Sequence, residues 1–174
     1  GTVAMLAMAY KEHGRLAWAR LFEPAIALAR SGFAVSKRLA RELAEDAPRL
    51  AAMPDMRAYF FHPDGTPLRE GEMLRNPEFA DTLSRIAQAG ANAFYKGPLA
   101  AKIAAAVSNA PRNPTPMTPA DLAAYAPKSY AAVCGVYRMY RVCGMPPSSS
   151  GGVTVLQILG LLQRFPSADL KTGS

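Results

Sequence analysis

Histidine, cysteine and tryptophan are scarce in these 174 residues, which hold two, two and one of them. A zinc site needs three or four clustered nitrogen, sulfur or oxygen ligands, and His13 and His62 lie far from each other and from both cysteines. A serine triad is as poorly supplied, because it needs a histidine to act as base. Long apolar runs are missing too, so no segment reads as a membrane span of about twenty residues. No basic stretch, apolar core and small-residue cleavage site mark a secretory signal. Gly1 is followed at once by the apolar stretch from Val3 to Tyr10, with no cap region before it, which suggests a chain cut from a longer one. In such a piece the lack of a signal says nothing of compartment.

Acidic residues are in the minority, 13 against 20 Lys and Arg, giving a formal charge of +7. The bases are nonetheless spread from Lys11 to Lys171. In the densest stretch Lys37, Arg38 and Arg41 alternate with Glu42, Glu45 and Asp46, the pattern of a solvated helix face. Neither a nucleic acid nor a membrane is expected as partner. Half of the residues are hydrophobic, enough for a folded core.

Proline and glycine divide the first two thirds into short helices. Gly14, Gly32 and Gly90 each follow an apolar-periodic stretch, where a left-handed C′ residue is expected. Pro24 breaks any long helix from Trp18 to Arg30 and suits the first position of a new one, leaving Trp18 to Phe22 as a separate turn. Asn76-Pro77 and Thr118-Pro119 put a capping side chain before proline, and Asp121 completes a capping box with Thr118. The stripes Phe79, Leu83, Ile86 and Leu99, Ile103, Val107 are expected to face a core. Strands are expected over Ala58 to His62, and in a hairpin of Ser129 to Tyr137 with Tyr140 to Met145. The fold class is mainly α (α+β). Residues 1–126 form a helical region, and residues 127–174 a β-hairpin, a Pro/Ser/Gly loop and a helix, read as belonging to the same domain.

Pro146-Pro147-Ser148-Ser149-Ser150-Gly151-Gly152 lies between a strand and a helix, a position where backbone amides could cradle an anion. It lacks the lysine and glycine spacing of a P-loop, and no base adjoins Ser148 to Ser150, so a structural turn is the preferred reading. Glu12, Glu23, Glu70 and Glu72 show no spacing for paired acid and base work, and surface roles suffice for them. No catalytic, cofactor or metal residue is assigned.

Several strings nonetheless follow one another in a distinctive order. They include Gly1-Thr2-Val3-Ala4, Glu23-Pro24-Ala25-Ile26-Ala27-Leu28-Ala29-Arg30-Ser31-Gly32-Phe33 and Ala93-Phe94-Tyr95-Lys96-Gly97-Pro98. Thr118-Pro119-Ala120-Asp121-Leu122-Ala123-Ala124-Tyr125 and Met145 to Gly152 complete them. In this nearly the whole chain resembles an internal piece of the large subunit of γ-glutamyltranspeptidase, or glutathione hydrolase. It departs from that pattern at Ala17, Met139, Ser148 and Asn109 to Pro116, which places local loop shapes in question.

The resemblance implies an N-terminal-nucleophile hydrolase, made as a precursor that cuts itself into large and small subunits. The small subunit's new N-terminal threonine would attack the γ-glutamyl amide of glutathione, activated by its own α-amine, and pass the acyl group to water or an amino acid. The implied partners are that small subunit, glutathione and other γ-glutamyl compounds. The implied setting is periplasmic or secreted. Every threonine of this chain is internal, so the isolated chain is expected to be inactive and, lacking its partner, to self-associate. The competing readings are a free-standing helical interaction module and a catalytically dead homologue.

Cys134 and Cys143 form a candidate disulfide. With Arg138-Met139 as a two-residue loop, Tyr137 faces Tyr140, and counting outward sets Cys134 opposite Cys143 in a non-hydrogen-bonded pair, with Cα atoms roughly 4.5 Å apart. An exported setting, as the resemblance implies, would permit oxidation. The alternative is a pair of small buried hydrophobes. Neither loop residue favours positive φ, so a longer loop shifted by one remains open.

Overall fold

Proline at helix starts and glycine at helix ends do cut this chain into short pieces. The computed structural model describes residues 1–167 and 170. Ten α-helices and two two-stranded sheets occur among the described residues, a mainly α fold with a small hairpin near its C-terminal end. The chain divides into two units, Gly1–Pro127 and Lys128–Ser174.

In the first unit α1 covers Thr2–His13, a 3-10 turn Trp18–Leu21 and α2 Glu23–Ser31. After β1 (Phe33–Ala34) come α3 (Lys37–Glu45), α4 (Ala47–Ala51), α5 (Pro54–Phe60) and β2 (Met73–Leu74). They are followed by α6 (Pro77–Ala89), α7 (Asn92–Tyr95), α8 (Gly97–Ser108) and α9 (Pro119–Ala123). The expected starts have their expected chemistry. Asn76 Oδ1 accepts from the Phe79 amide at 2.9 Å. Thr118 Oγ1 accepts from the Asp121 amide at 3.3 Å, and Asp121 Oδ2 accepts from the Thr118 amide at 2.8 Å. Trp18–Leu21 is a separate turn, and Pro24 lies in the first turn of α2.

Three expectations for this unit are corrected. Gly32 and Gly90 take positive φ, 87° and 75°, but Gly14 is extended with φ −66°. Gly14 is needed for space instead, since a Cβ there would strike the Tyr10 ring and carbonyl. Ala58 to Phe60 belong to α5, not to a strand. Pro54 in the first turn, with Asp55 beside it, nucleates a helix that overrides the β preference of Tyr59-Phe60. Only Phe61 bridges, to Pro67. Finally, in the stripe Phe79, Leu83 and Ile86, Ile86 is buried as expected and Leu83 half-buried, but Phe79 is half exposed, while Ala80 and Ala87 are buried. Small residues let α6 approach α2 and the Trp18 turn closely, so the buried face is rotated from the one drawn by bulk.

The core of this unit is built from Val35, Leu43, Phe61, Leu74, Ile86 and Tyr95, with alanines of α6 and α8 between them. Trp18 Nε1 donates to the Ile86 carbonyl at 3.0 Å, tying the turn to α6. Arg30 pairs with Asp81 at 3.1 Å across α2 and α6. β1 and β2 are antiparallel, Phe33 facing Leu74 and Ala34 facing Met73.

In the second unit β3 (Val133–Tyr137) and β4 (Tyr140–Gly144) form an antiparallel hairpin, followed by α10 (Gly151–Leu162). The hairpin is shorter than expected, because Ser129 to Ala132 and Met145 make no ladder. α10 packs on one face of it.

Candidate functional site

The hairpin, its following loop and α10 bring together the cysteine pair and the serine cluster. Alternation along the two strands sets the faces: Gly135, Val142 and Gly144 are half-buried toward α10, whereas Cys134, Val136, Arg141 and Cys143 are exposed. Register follows the two-residue loop, with Tyr137 facing Tyr140, Val136 Arg141, Gly135 Val142 and Cys134 Cys143. The cysteine Cα atoms are 4.1 Å apart, and the sulfurs are placed as a disulfide.

Arg138 makes that loop possible at some cost. It takes φ 56°, the left-handed region that disfavours a residue with a Cβ by roughly 1–2 kcal/mol. Its guanidinium donates to the Phe165 carbonyl at 3.3 Å and to the Ser167 hydroxyl, and lies 5.2 Å from the centre of the Tyr137 ring. These contacts, about 27 residues away in sequence, offset the strain and clasp the chain after α10 to the hairpin tip. No local sequence signal announces them.

The Pro146 to Gly152 segment is a turn. The Ser149 amide donates to the Pro146 carbonyl at 3.2 Å, and Ser149 Oγ accepts from the Gly151 amide at 3.4 Å. Ser150 precedes α10 without a side-chain cap. Both histidines lie in the first unit, so the serines have no imidazole beside them within their own. An open depression of about 290 Å³ between β4, the loop and α10 is lined chiefly by Cys143, Gly144, Ser149, Gly152, Val155 and Leu156. Among the described residues no charged group lines it.

The acidic residues noted in the sequence are spread over the first unit. Glu12 sits 3.7 Å from His13, Glu23 4.0 Å from Arg20, and Glu70 is exposed. His62 Nε2 meets Glu72 Oε2 at 3.1 Å. The Arg69 amide, donating to Glu72 at 2.6 Å, holds the Glu72 carboxyl below its usual range, with His62 adding to the effect. This is a clasp across a turn, with Asp64 likewise lowered by the Thr66 amide and hydroxyl. No two of these carboxylates are brought together as an acid and base pair.

The whole chain, residues 1–174, matches the sequence profile of gamma-glutamyltranspeptidase. It is similar to a glutathione hydrolase proenzyme of Escherichia coli, 35% identical over 174 residues, covering 100% of this chain and 30% of that protein. Its fold is similar to the crystal structure of a γ-glutamyltranspeptidase from Helicobacter pylori, with a TM-score of 0.91 and 34% identity over 100% of this chain and 49% of that one. A cephalosporin acylase from Bacillus halodurans is also similar, with a TM-score of 0.80 and 31% identity over 93% of this chain and 30% of that one. The chain thus spans about a third of the length of the bacterial proenzyme it matches.

Proposed function

Because this chain belongs to the γ-glutamyltranspeptidase family, we propose that it serves as a large-subunit scaffold in an enzyme that cleaves the γ-glutamyl amide of glutathione and transfers the group to water or amino acids. The observation that carries the reading is the match over all 174 residues, in sequence and in fold, to proteins of that activity. The E. coli relative is named a proenzyme, which supports a precursor divided into subunits.

The chemistry of amide cleavage needs a nucleophile, a base to activate it and donors for the oxyanion. Ser149 Oγ accepts from the Gly151 amide and has no base beside it in its own unit, and we assign the reacting groups to the remainder of the precursor. In such an arrangement the helices of the first unit and the outer side of α10 in the second provide surfaces that hold the partner subunit in position. Pre-organised donors and nucleophile require a rigid support, because small displacements lower the rate steeply.

We further propose that Cys134 and Cys143 form a disulfide in an exported, oxidising compartment, supported by their facing positions in the hairpin register. Among the described residues no helix is long and apolar enough to cross a membrane.

The test compares the complete reading frame with residues 1–174 alone on a chromogenic γ-glutamyl amide. The complete protein is expected to split into two chains and turn the substrate over, and the isolated chain to release no chromophore. Activity that stays with the purified isolated chain, or an intact inactive full-length protein, would sink the proposal.

A further inference from the structure

We propose that the Cys134–Cys143 pair is a thiol-exchange site: a small anionic thiol of the glutathione type attacks Cys134 Sγ, and Cys143 leaves as a thiolate on the face that carries Arg141. The inference rests on the disulfide proposed above and adds to it which sulfur reacts, with what, and without unfolding.

Access comes first. Exchange requires a thiolate to approach a disulfide sulfur, so a bond buried in a core is protected until the protein opens. Here both cysteines lie on the exposed face of the hairpin, and α10 covers the other face. The hairpin also has no need of the bond to stay paired. The Gly135–Val142 and Val133–Gly144 pairs flank it on the ladder. On the covered side Leu156 lies against Gly135, and the Gly152 backbone lies against Gly144. Opening the bond therefore leaves the strands in register.

Arg141 supplies the direction. It shares the strand of Cys143 and its exposed face, two residues away. Around Cys134 the matching positions on its own strand are Ala132 and Val136, both uncharged, and Arg141, opposite Val136, reaches Cys134 only on the diagonal. A guanidinium two residues away on the same face favours the thiolate of Cys143 over that of Cys134, and the sulfur with the lower pKa leaves faster. The same positive charge, on a chain of net +7, attracts a thiol that carries carboxylates.

The electrons balance in two steps. The incoming thiolate bonds to Cys134 Sγ as the Cys134–Cys143 bond breaks, its electron pair passing to Cys143, which then takes up a proton. A second thiolate attacks the external sulfur of this mixed disulfide, freeing the Cys134 thiolate and forming the small-molecule disulfide. Two small thiols are oxidised and one protein disulfide is reduced.

The experiment begins with thiol counting under denaturing, non-reducing conditions, on protein prepared from an oxidising compartment. Absence of free thiols is expected, and two free thiols would overturn the disulfide and exchange with it. The folded protein is next exposed to reduced glutathione at neutral pH, quenched with acid, alkylated and mapped by peptide mass. The glutathionyl group is expected on Cys134 and the alkyl group on Cys143, appearing at least about tenfold faster than unfolding followed by far-ultraviolet circular dichroism. Arg141→Gln should slow the reaction about two- to threefold at low salt, the scale of an exposed charge interaction, and added salt should remove the difference. A disulfide inert until the protein unfolds, an adduct on Cys143 instead, or a rate indifferent to Arg141→Gln would overturn the proposal while leaving the disulfide standing.

Discussion

Gly152 of α10 sits so close to Gly144 of β4 that a Cβ built on Gly144 would lie 2.6 Å from the Gly152 Cα. The contact is backbone against backbone, with no flexible side chain able to yield. Gly144→Ala is therefore expected to force helix and strand apart and to destabilise the second unit by about 1–3 kcal/mol, the scale of overpacking in a filled space. Gly160, also in α10, has nothing within 4 Å of its own Cβ position. Gly160→Ala should instead stabilise the helix by roughly 0.5–1 kcal/mol. Denaturant unfolding of both variants decides it, and equal effects at the two positions would refute the close approach.

Trp18 is the single tryptophan, and its indole donates to the Ile86 carbonyl. The Gly90 amide also donates to that carbonyl at 2.9 Å, so Trp18→Phe would leave it partnered. The expected loss is the net value of one hydrogen bond, about 1 kcal/mol, plus the packing of the indole against Tyr10 and Phe22. In the wild type, Trp18 fluorescence should report unfolding of the first unit. A Trp18→Phe variant as stable as wild type by circular dichroism would show that the tie to α6 contributes nothing.

Acid should weaken the start of α9. The Thr118 hydroxyl, and after it the Thr118 amide, hold the Asp121 carboxyl below its usual range. A carboxyl with a folded pKa below the unfolded one stabilises the fold above the unfolded value, near 3.9, and loses that contribution as pH falls through the folded value. Asp121→Asn is thus expected to be less stable than wild type at pH 6 and to converge on it toward pH 2. Urea unfolding at both values checks the sign, and a difference that grows in acid would contradict the capping box.

Local chemistry explains what the sequence made legible. Asn76, Thr118 and Asp121 cap helices through groups three residues away, and the cysteine register follows by counting from a two-residue loop, so short-range reading sufficed. The β1–β2 pairing was not legible, since two-residue strands about forty residues apart have no periodicity to detect. Nor was the left-handed Arg138, whose partners Phe165 and Ser167 come from beyond α10. At α6 the larger Phe79 drew the expected buried face away from Ala80 and Ala87, because bulk ranks hydrophobicity but not how closely two helices meet.

The outer side of α10 offers the most direct test of an absent partner. Val155, Ile158 and Leu161 follow one another at three-residue steps and are about half exposed, at 46%, 50% and 60%, with Phe165 just past the helix at 54%. The opposite side, through Gly152 and Leu156, already meets the hairpin. A helix apolar on both sides belongs in the interior of a larger assembly, and water around such a stripe favours any association that covers it. The isolated chain is accordingly expected to bind an apolar dye and to sediment as oligomers whose population rises with concentration. Ile158→Lys with Leu161→Glu puts charge into the stripe without touching the hairpin contacts, and should reduce both dye binding and oligomer while circular dichroism stays unchanged. In the complete protein the same pair of substitutions should do the reverse of harmless: it should impair assembly and lower the yield of folded enzyme. A wild-type chain that remains monomeric and free of dye at high concentration would refute the view that this side of α10 is a covered surface.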